Sequence, residues 1–88
     1  MLLSNPILPG VSESGILIPG NFSGNPKKAV VSFPSPMPAI GYSITMACLT
    51  DGTKSFNPVI ENKTVNGFTV NLHSNNVANL VEVDWHVV

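Results

Sequence analysis

The sequence predicts a small all-β fold, and three observations support this prediction. Apolar and polar residues alternate with period two in several segments, which is typical of half-buried strands. Glycine and proline, with 7 and 8 residues among 88, punctuate the chain at short intervals. No segment has the 3.6-residue apolar stripe of an amphipathic helix. We therefore predict an antiparallel β-sandwich of about six strands that is preceded by an extended N-terminal arm.

A chain of 88 residues has room for one domain. We predict an arm at residues 1–24 and the β-sandwich domain at residues 25–88. Proline and glycine exclude a helix in the arm, while its apolar residues are costly to leave in water. We expect the arm to dock on a partner, with Gly15 to Ile18 able to add a short strand; a disordered tail is the alternative. The predicted docking residues are Leu2, Leu3, Ile7, Leu8, Val11, Ile16, Leu17 and Ile18.

The first strand of the domain begins near Lys28 and ends at Pro34, with Ala29, Val31 and Phe33 on one face. Residues 34–41 contain three prolines, which cannot donate to a sheet, so this segment is predicted to be a connection. The alternation then resumes over residues 42–49.

Two turn signals, Asp51-Gly52 and Asn66-Gly67, suggest consecutive hairpins. Two-residue loops would turn charged side chains toward the core. Three-residue loops, at residues 50–52 and 65–67, instead pair Met46 with Phe56 and Ile60 with Leu72. This register gathers one apolar face, formed by Tyr42, Ile44, Met46, Phe56, Pro58, Ile60, Phe68, Val70 and Leu72.

The last strand is predicted from about Leu80 to Val88. Its inward residues are Val81, Val83, Trp85 and Val87. Glu82, Asp84 and His86 alternate with them, so these three side chains share the outward face.

Charge and cysteine content restrict the function. Charged residues make up 10% of the chain, the net charge is −1, and the four basic residues are all lysines, so nucleic acid is not an expected ligand. The longest apolar runs are too short to span a bilayer, and no basic residues precede the apolar start Met1-Leu2-Leu3, so we expect neither a membrane anchor nor a signal peptide. Cys48 is the single cysteine, which excludes a disulfide within one chain. We therefore expect oligomerisation to stabilise this small fold.

Four motifs together resemble the H-type lectin fold, a six-stranded sandwich that also occurs in tailed-phage fibre and other virion proteins. They are Val30-Val31-Ser32-Phe33 before Pro34, Met37-Pro38-x-x-Gly41-Tyr42-x-Ile44, Asn66-Gly67-Phe68-Thr69-Val70 and Val83-Asp84-Trp85-His86-Val87. The resemblance covers residues 25–88 and implies a homotrimer. It leads us to expect a non-catalytic virion structural protein of a tailed bacteriophage, a capsid decoration or small tail component that docks by its arm on other virion proteins.

The alternative function is a glycan-binding adhesin that recognises the host cell surface. Sugar sites use an aromatic platform with a few polar groups, and Trp85 is the candidate platform. An inward Trp in a strand of period two is more often a core residue.

Candidate catalytic and metal residues are few. Cys48 with His73 or His86 could form a thiol and base pair, but a cysteine on an apolar face usually acts as a small hydrophobe. We therefore predict no enzyme activity and no cofactor. Glu82, Asp84 and His86 could form an ion-binding ring around the axis of a trimer. The alternative is an ordinary solvated outer face.

Overall fold

The chain forms an all-β fold in a computed structural model that describes residues 12–88. Its strands are β1 (Glu13–Leu17), β2 (Lys28–Ser32), β3 (Ile44–Thr50), β4 (Val59–Thr64), β5 (Gly67–Asn71) and β6 (Leu80–Val87). A short 3₁₀ helix spans Pro19–Asn21. Within the described part there is no α-helix, and no helix long and apolar enough to cross a membrane.

The strands form two three-stranded antiparallel sheets, with orders β1-β6-β3 and β2-β5-β4. Both sheets contribute to one apolar core, because the alternation in each strand turns its apolar residues to the same side. The fully buried side chains come from the two central strands and from Leu72, which follows β5. The largest of them are Phe68, Leu72, Val70, Val83 and Val87.

The described part of the predicted arm is integrated into this fold. β1 pairs with β6 along five residues, from Glu13 opposite Val87 to Leu17 opposite Val83. Leu17 and Phe22 are buried in the core. Residues 12–24 thus pack with the domain, and the boundary predicted between residues 24 and 25 stays a prediction.

The predicted hairpin between β3 and β4 is wrong, because β3 pairs with β6 and lies in the other sheet from β4. Asp51 does form a turn, in which its carboxylate accepts a hydrogen bond from the Thr53 backbone N–H at 2.8 Å. Its own backbone N–H, however, donates to the carbonyl of Asn79, immediately before β6. The chain then crosses to the second sheet over residues 51–58.

The hairpin between β4 and β5 exists, but its register differs from the prediction. Thr64 lies opposite Gly67, so the loop has two residues, and Ile60 lies opposite Val70 and not Leu72. The pairing is irregular between Glu61 and Thr64, where Asn62 has a positive φ of 51°. Over Val59–Glu61 the displacement is two residues, so the side chains of this part of β4 keep their predicted faces.

The predicted apolar face is largely confirmed despite these changes in pairing. Tyr42, Phe68, Val70 and Leu72 are buried. The partly buried members that pack against the core are Ile44, Met46, Phe56 and Ile60. Period two fixes which way a side chain points, whichever strand lies alongside.

Val81 is a further correction, because it is 43% exposed and not inward. Leu49 lies opposite Glu82 and Thr50 opposite Leu80, so Val81 is the extra residue of a β-bulge. The bulge reverses the alternation, and Leu80 takes the core position at the start of β6.

Candidate functional site

The outer face of the β1-β6-β3 sheet collects most of the predicted functional residues. The register forms two cross-strand rows, one of Ser14, His86 and Thr45 and one of Ile16, Asp84 and Ala47. Cross-strand neighbours on one face of a sheet lie within contact distance of each other. The side chains of the two rows therefore form a continuous surface.

Three of the predicted docking residues fall within the described part of the chain. Ile16 and Ile18 are exposed, at 59% and 54%, whereas Leu17 is buried in the protein's own core. Leu17 is therefore not available to a partner. Leu2, Leu3, Ile7, Leu8 and Val11 lie outside the described residues.

The sequence reasoning missed Leu49 as a candidate for partner contact. Leu49 is 51% exposed and lies near the end of β3, opposite Glu82. Ile16 and Val81 are further exposed apolar side chains on the same sheet. The alternation could have identified Leu49, since the inward assignment of Ile44, Met46 and Cys48 makes Leu49 outward.

Glu82, Asp84 and His86 share the outer face, as their spacing predicts. The hydrogen bond from Asp84, then partial burial and the negative charge of Asp84, hold the pKa of Glu82 above its usual range. Among residues 12–88, no three His, Cys, Asp or Glu side chains of one chain are grouped closely enough to hold a metal ion. An ion site from this triad therefore requires side chains of other copies.

Trp85 packs on the inner side of its sheet. Its ring meets the ring of Phe68 edge-on, with 5.6 Å between centroids, and the ring of Phe33 at 6.1 Å. Gly15, opposite Trp85, makes room for the indole, because a Cβ at Gly15 would lie 2.7 Å from the ring. The ring is thus held as part of an aromatic cluster with Phe33, Tyr42 and Phe68.

A shallow depression of about 240 Å³ lies over the paired strands β3 and β6. Four of its lining residues, Thr45, Ala47, Asp84 and His86, belong to the outer face. Ala47 contributes only a methyl group to this lining. The lining thus combines one carboxylate, one imidazole and one hydroxyl around a small apolar floor.

Cys48 faces the core side of β3, and burial raises the pKa of its thiol. A raised pKa keeps the sulfur protonated and weakly nucleophilic. His86 lies on the opposite face of the sheet, since it pairs with Thr45 and not with an inward residue. Cys48 and His86 are therefore not placed as a nucleophile and its base.

The second sheet carries a polar cluster on its outer face. Lys28 Nζ lies 2.8 Å from Glu61 Oε1, and Asn71 Nδ2 donates to Glu61 Oε2 at 2.9 Å. The hydrogen bond from Asn71, followed by that from Lys28, lowers the pKa of Glu61. Asn71 is buried and also accepts from the His73 backbone N–H at 2.8 Å. These groups satisfy one another, which indicates a structural role.

No family model, curated protein or solved structure matches the chain.

Proposed function

We propose that the chain is a non-catalytic structural module of a tailed-bacteriophage virion, an H-type-lectin-like sandwich that works as a homo-oligomer. The observation that carries the proposal is the exposure of three large apolar side chains on the β1-β6-β3 sheet, those of Ile16, Leu49 and Val81, in a chain with 10% charged residues. Apolar surface of this kind is typical of protein contacts. The virion setting and the trimer rest on the family resemblance.

The core supports an assembly role over a catalytic one. Its aromatic side chains pack against one another, and the thiol of Cys48 has a raised pKa and lies on the other face from His86. The polar groups of the outer face of the second sheet pair among themselves. A rigid scaffold with apolar outer positions suits a capsid decoration or a small tail component.

The N-terminal segment is the proposed docking element, and the fold sharpens its test. Because β1 and Phe22 belong to the core, deleting residues 1–24 would unfold the protein. Deleting residues 1–11 leaves β1 in place. We expect the 1–11 deletion to keep the far-ultraviolet circular dichroism of the intact chain and to be missing from purified particles.

A second variant separates the loss of apolar side chains from the loss of chain length. It has the full length, with serine in place of Leu2, Leu3, Ile7, Leu8 and Val11. It should also be missing from particles, since it keeps the length and loses the apolar side chains. Normal incorporation of both variants would refute docking by this segment.

A thermal-shift assay against free monosaccharides addresses the adhesin alternative. A sugar at 100 times its dissociation constant adds about 2.7 kcal/mol to the free energy of unfolding. We expect no shift, and a shift that Trp85→Phe abolishes would favour the adhesin over the structural module.

A further inference from the structure

Strand β3 is an edge strand whose outer side is free of any described strand. Within the part of the chain that the structure describes, it pairs only with β6, which is the central strand of the three-stranded sheet. Just before β3, Ser43 and Val88 exchange two backbone hydrogen bonds, at 3.0 and 3.2 Å. Such pairs recur at every second residue of an antiparallel ladder. The N–H and C=O groups of Ile44, Met46 and Cys48 therefore point away from β6.

The other three edges carry features that discourage a further strand. β4 has an irregular pairing between Glu61 and Thr64 and two charged residues. β2 begins with Lys28 and lies between prolines at 26 and 34. β1 contains Glu13 and Gly15. Bulges, charges, prolines and short length are the usual protection of sheet edges.

β3 lacks this protection. Its seven residues, Ile44–Thr50, include no charge, no proline and no glycine, and its register with β6 is regular as far as Leu49. A regular uncharged edge is a template for pairing with another strand. The inward residues of β3 are also only half-buried, so added backbone would cover apolar side chains of the core.

We propose that β3 pairs antiparallel with β3 of a second copy about a two-fold axis at Met46. Met46 then lies opposite Met46 of the second copy, and Ile44 lies opposite Cys48. Ile44, Met46 and Cys48 are the residues whose backbone N–H and C=O groups point away from β6. The edge is therefore self-complementary, and the contact is isologous. Three such pairs provide about six hydrogen bonds between the two copies.

This register also places the two cores on the same side of the joined sheet. Residues of a hydrogen-bonded antiparallel pair point their side chains to the same face, and Ile44, Met46 and Cys48 all face the core. On the outer face Thr45 lies opposite Ala47 of the second copy, two small uncharged residues. The two three-stranded sheets thus become one six-stranded sheet without a charged contact.

The inference is independent of the virion setting. The two-fold contact through β3 is separate from any trimer contact about a three-fold axis. A closed assembly that contains a two-fold axis has an even number of chains, whether or not the trimer contact also forms. Native mass spectrometry and light scattering of the purified chain should show a dimer or another even number. A monomer or a trimer at micromolar concentration would overturn the proposal, whereas particle incorporation is tested separately by the 1–11 deletion.

A pair of cysteine variants tests the register. In a Cys48→Ala background, Met46→Cys brings two thiols opposite each other, with Cα atoms about 5.5 Å apart, which suits a disulfide. Ile44→Cys in the same background is the matched control, since it lies on the same face of the same edge but four residues out of register. We expect Met46→Cys to form a covalent dimer under mild oxidation at least 10-fold faster than Ile44→Cys. Equal rates would contradict the proposed register.

Met46→Pro tests the edge itself. Proline is tolerated on an edge strand where the N–H faces solvent, and here it removes the central donor of the free side. We expect the assembly of this variant to have half the mass of the assembly formed by the unaltered chain, with an unchanged far-ultraviolet circular dichroism spectrum. An unchanged mass would overturn the proposal, and if the variant does not fold, the cysteine pair decides.

Discussion

The two sheets differ in how their outer faces are completed. On β2-β5-β4 the central strand is buried on both faces, since Lys28 and Glu61 pair above Asn71. On β1-β6-β3 the outer face leaves Ile16 and Leu49 exposed. The central strand β5 is thus covered by the protein's own side chains, although Val30 on the edge strand β2 is 73% exposed, whereas the outer face of β6 stays open to solvent. The difference teaches that two three-stranded antiparallel sheets of one fold bury their central strands to different extents.

The largest expected effect on the free energy of unfolding comes from a change in the β2-β5-β4 sheet. A Cβ at Gly67 would lie 1.9 Å from the carbonyl oxygen of Val31, and Gly67 has a φ of 153°. Gly67→Ala should therefore separate β2 from β5 and destabilise the protein by about 3 kcal/mol or more, measured by urea unfolding. Gly41→Ala is the control, because a Cβ there has nothing within 4 Å and its effect should be small. Equal losses would contradict this account.

The second effect concerns the β1-β6-β3 sheet. Gly15→Ala would place a Cβ 2.7 Å from the indole of Trp85, so the ring must move. We expect a loss of about 1–3 kcal/mol and a shifted fluorescence maximum of this single tryptophan. Gly20→Ala, whose Cβ would lie in open space, should leave the spectrum unchanged. An unmoved spectrum in Gly15→Ala would show that the indole does not pack against β1.

A third effect tests the link between the sheets. The hydroxyl of Tyr42, just before β3, donates toward the carbonyls of Thr64 and Gly67 in the other sheet, at 2.8 and 3.1 Å. Tyr42→Phe keeps the ring and removes the donor, so we expect a loss of about 1–2 kcal/mol in urea unfolding. A stability equal to that of the unaltered chain would mean that water replaces this donor.

The smallest effect is an opposite pH dependence of the two outer faces. The pKa of Glu61 is lowered by Asn71 and Lys28, so its stabilisation is present above the ordinary glutamate pKa and is lost as pH falls through the lowered value. The pKa of Glu82 is raised by Asp84, so its contribution is greatest at low pH and is lost as pH rises through the raised value.

Melting temperatures between about pH 3 and pH 7 distinguish the two carboxylates. Glu61→Gln should reduce the loss of stability on acidification. Glu82→Gln should raise the melting temperature at pH 7 and have less effect at pH 3, because it removes repulsion from Asp84. A lower melting temperature of Glu82→Gln at pH 7 would contradict this assignment.

Sequence alternation predicted the directions of side chains well and their neighbours poorly. It placed Ile44 and Met46 inward correctly, but paired β3 with β4, because an alternating strand can lie against any other strand with an apolar face. The β-bulge at Val81 could not be predicted, since an extra residue leaves no mark in the pattern. Phe22 and Met37 were missed as core residues because they lie outside strands and have no periodicity.

The candidate site was predicted to a similar extent. The shared outer face of Glu82, Asp84 and His86 follows from spacing alone. The burial of Leu17 between exposed Ile16 and Ile18 required knowing that β1 joins the sheet. The free edge of β3 could not be predicted, because sheet order is set by long-range pairing that local sequence does not record.

The central place of β6 has a consequence for synthesis. Among the strands of residues 12–88, β1 and β3 pair only with β6, which follows both of them in the sequence. Residues 13–50 are therefore synthesised before the partner strand of β1 and β3, and this sheet closes only when residues 80–87 have emerged from the ribosome. Pairing between such distant segments is slow. During that interval both edges of β3 are unpaired. The newly made chain is therefore most prone to aggregate before the eight residues of β6 have been synthesised.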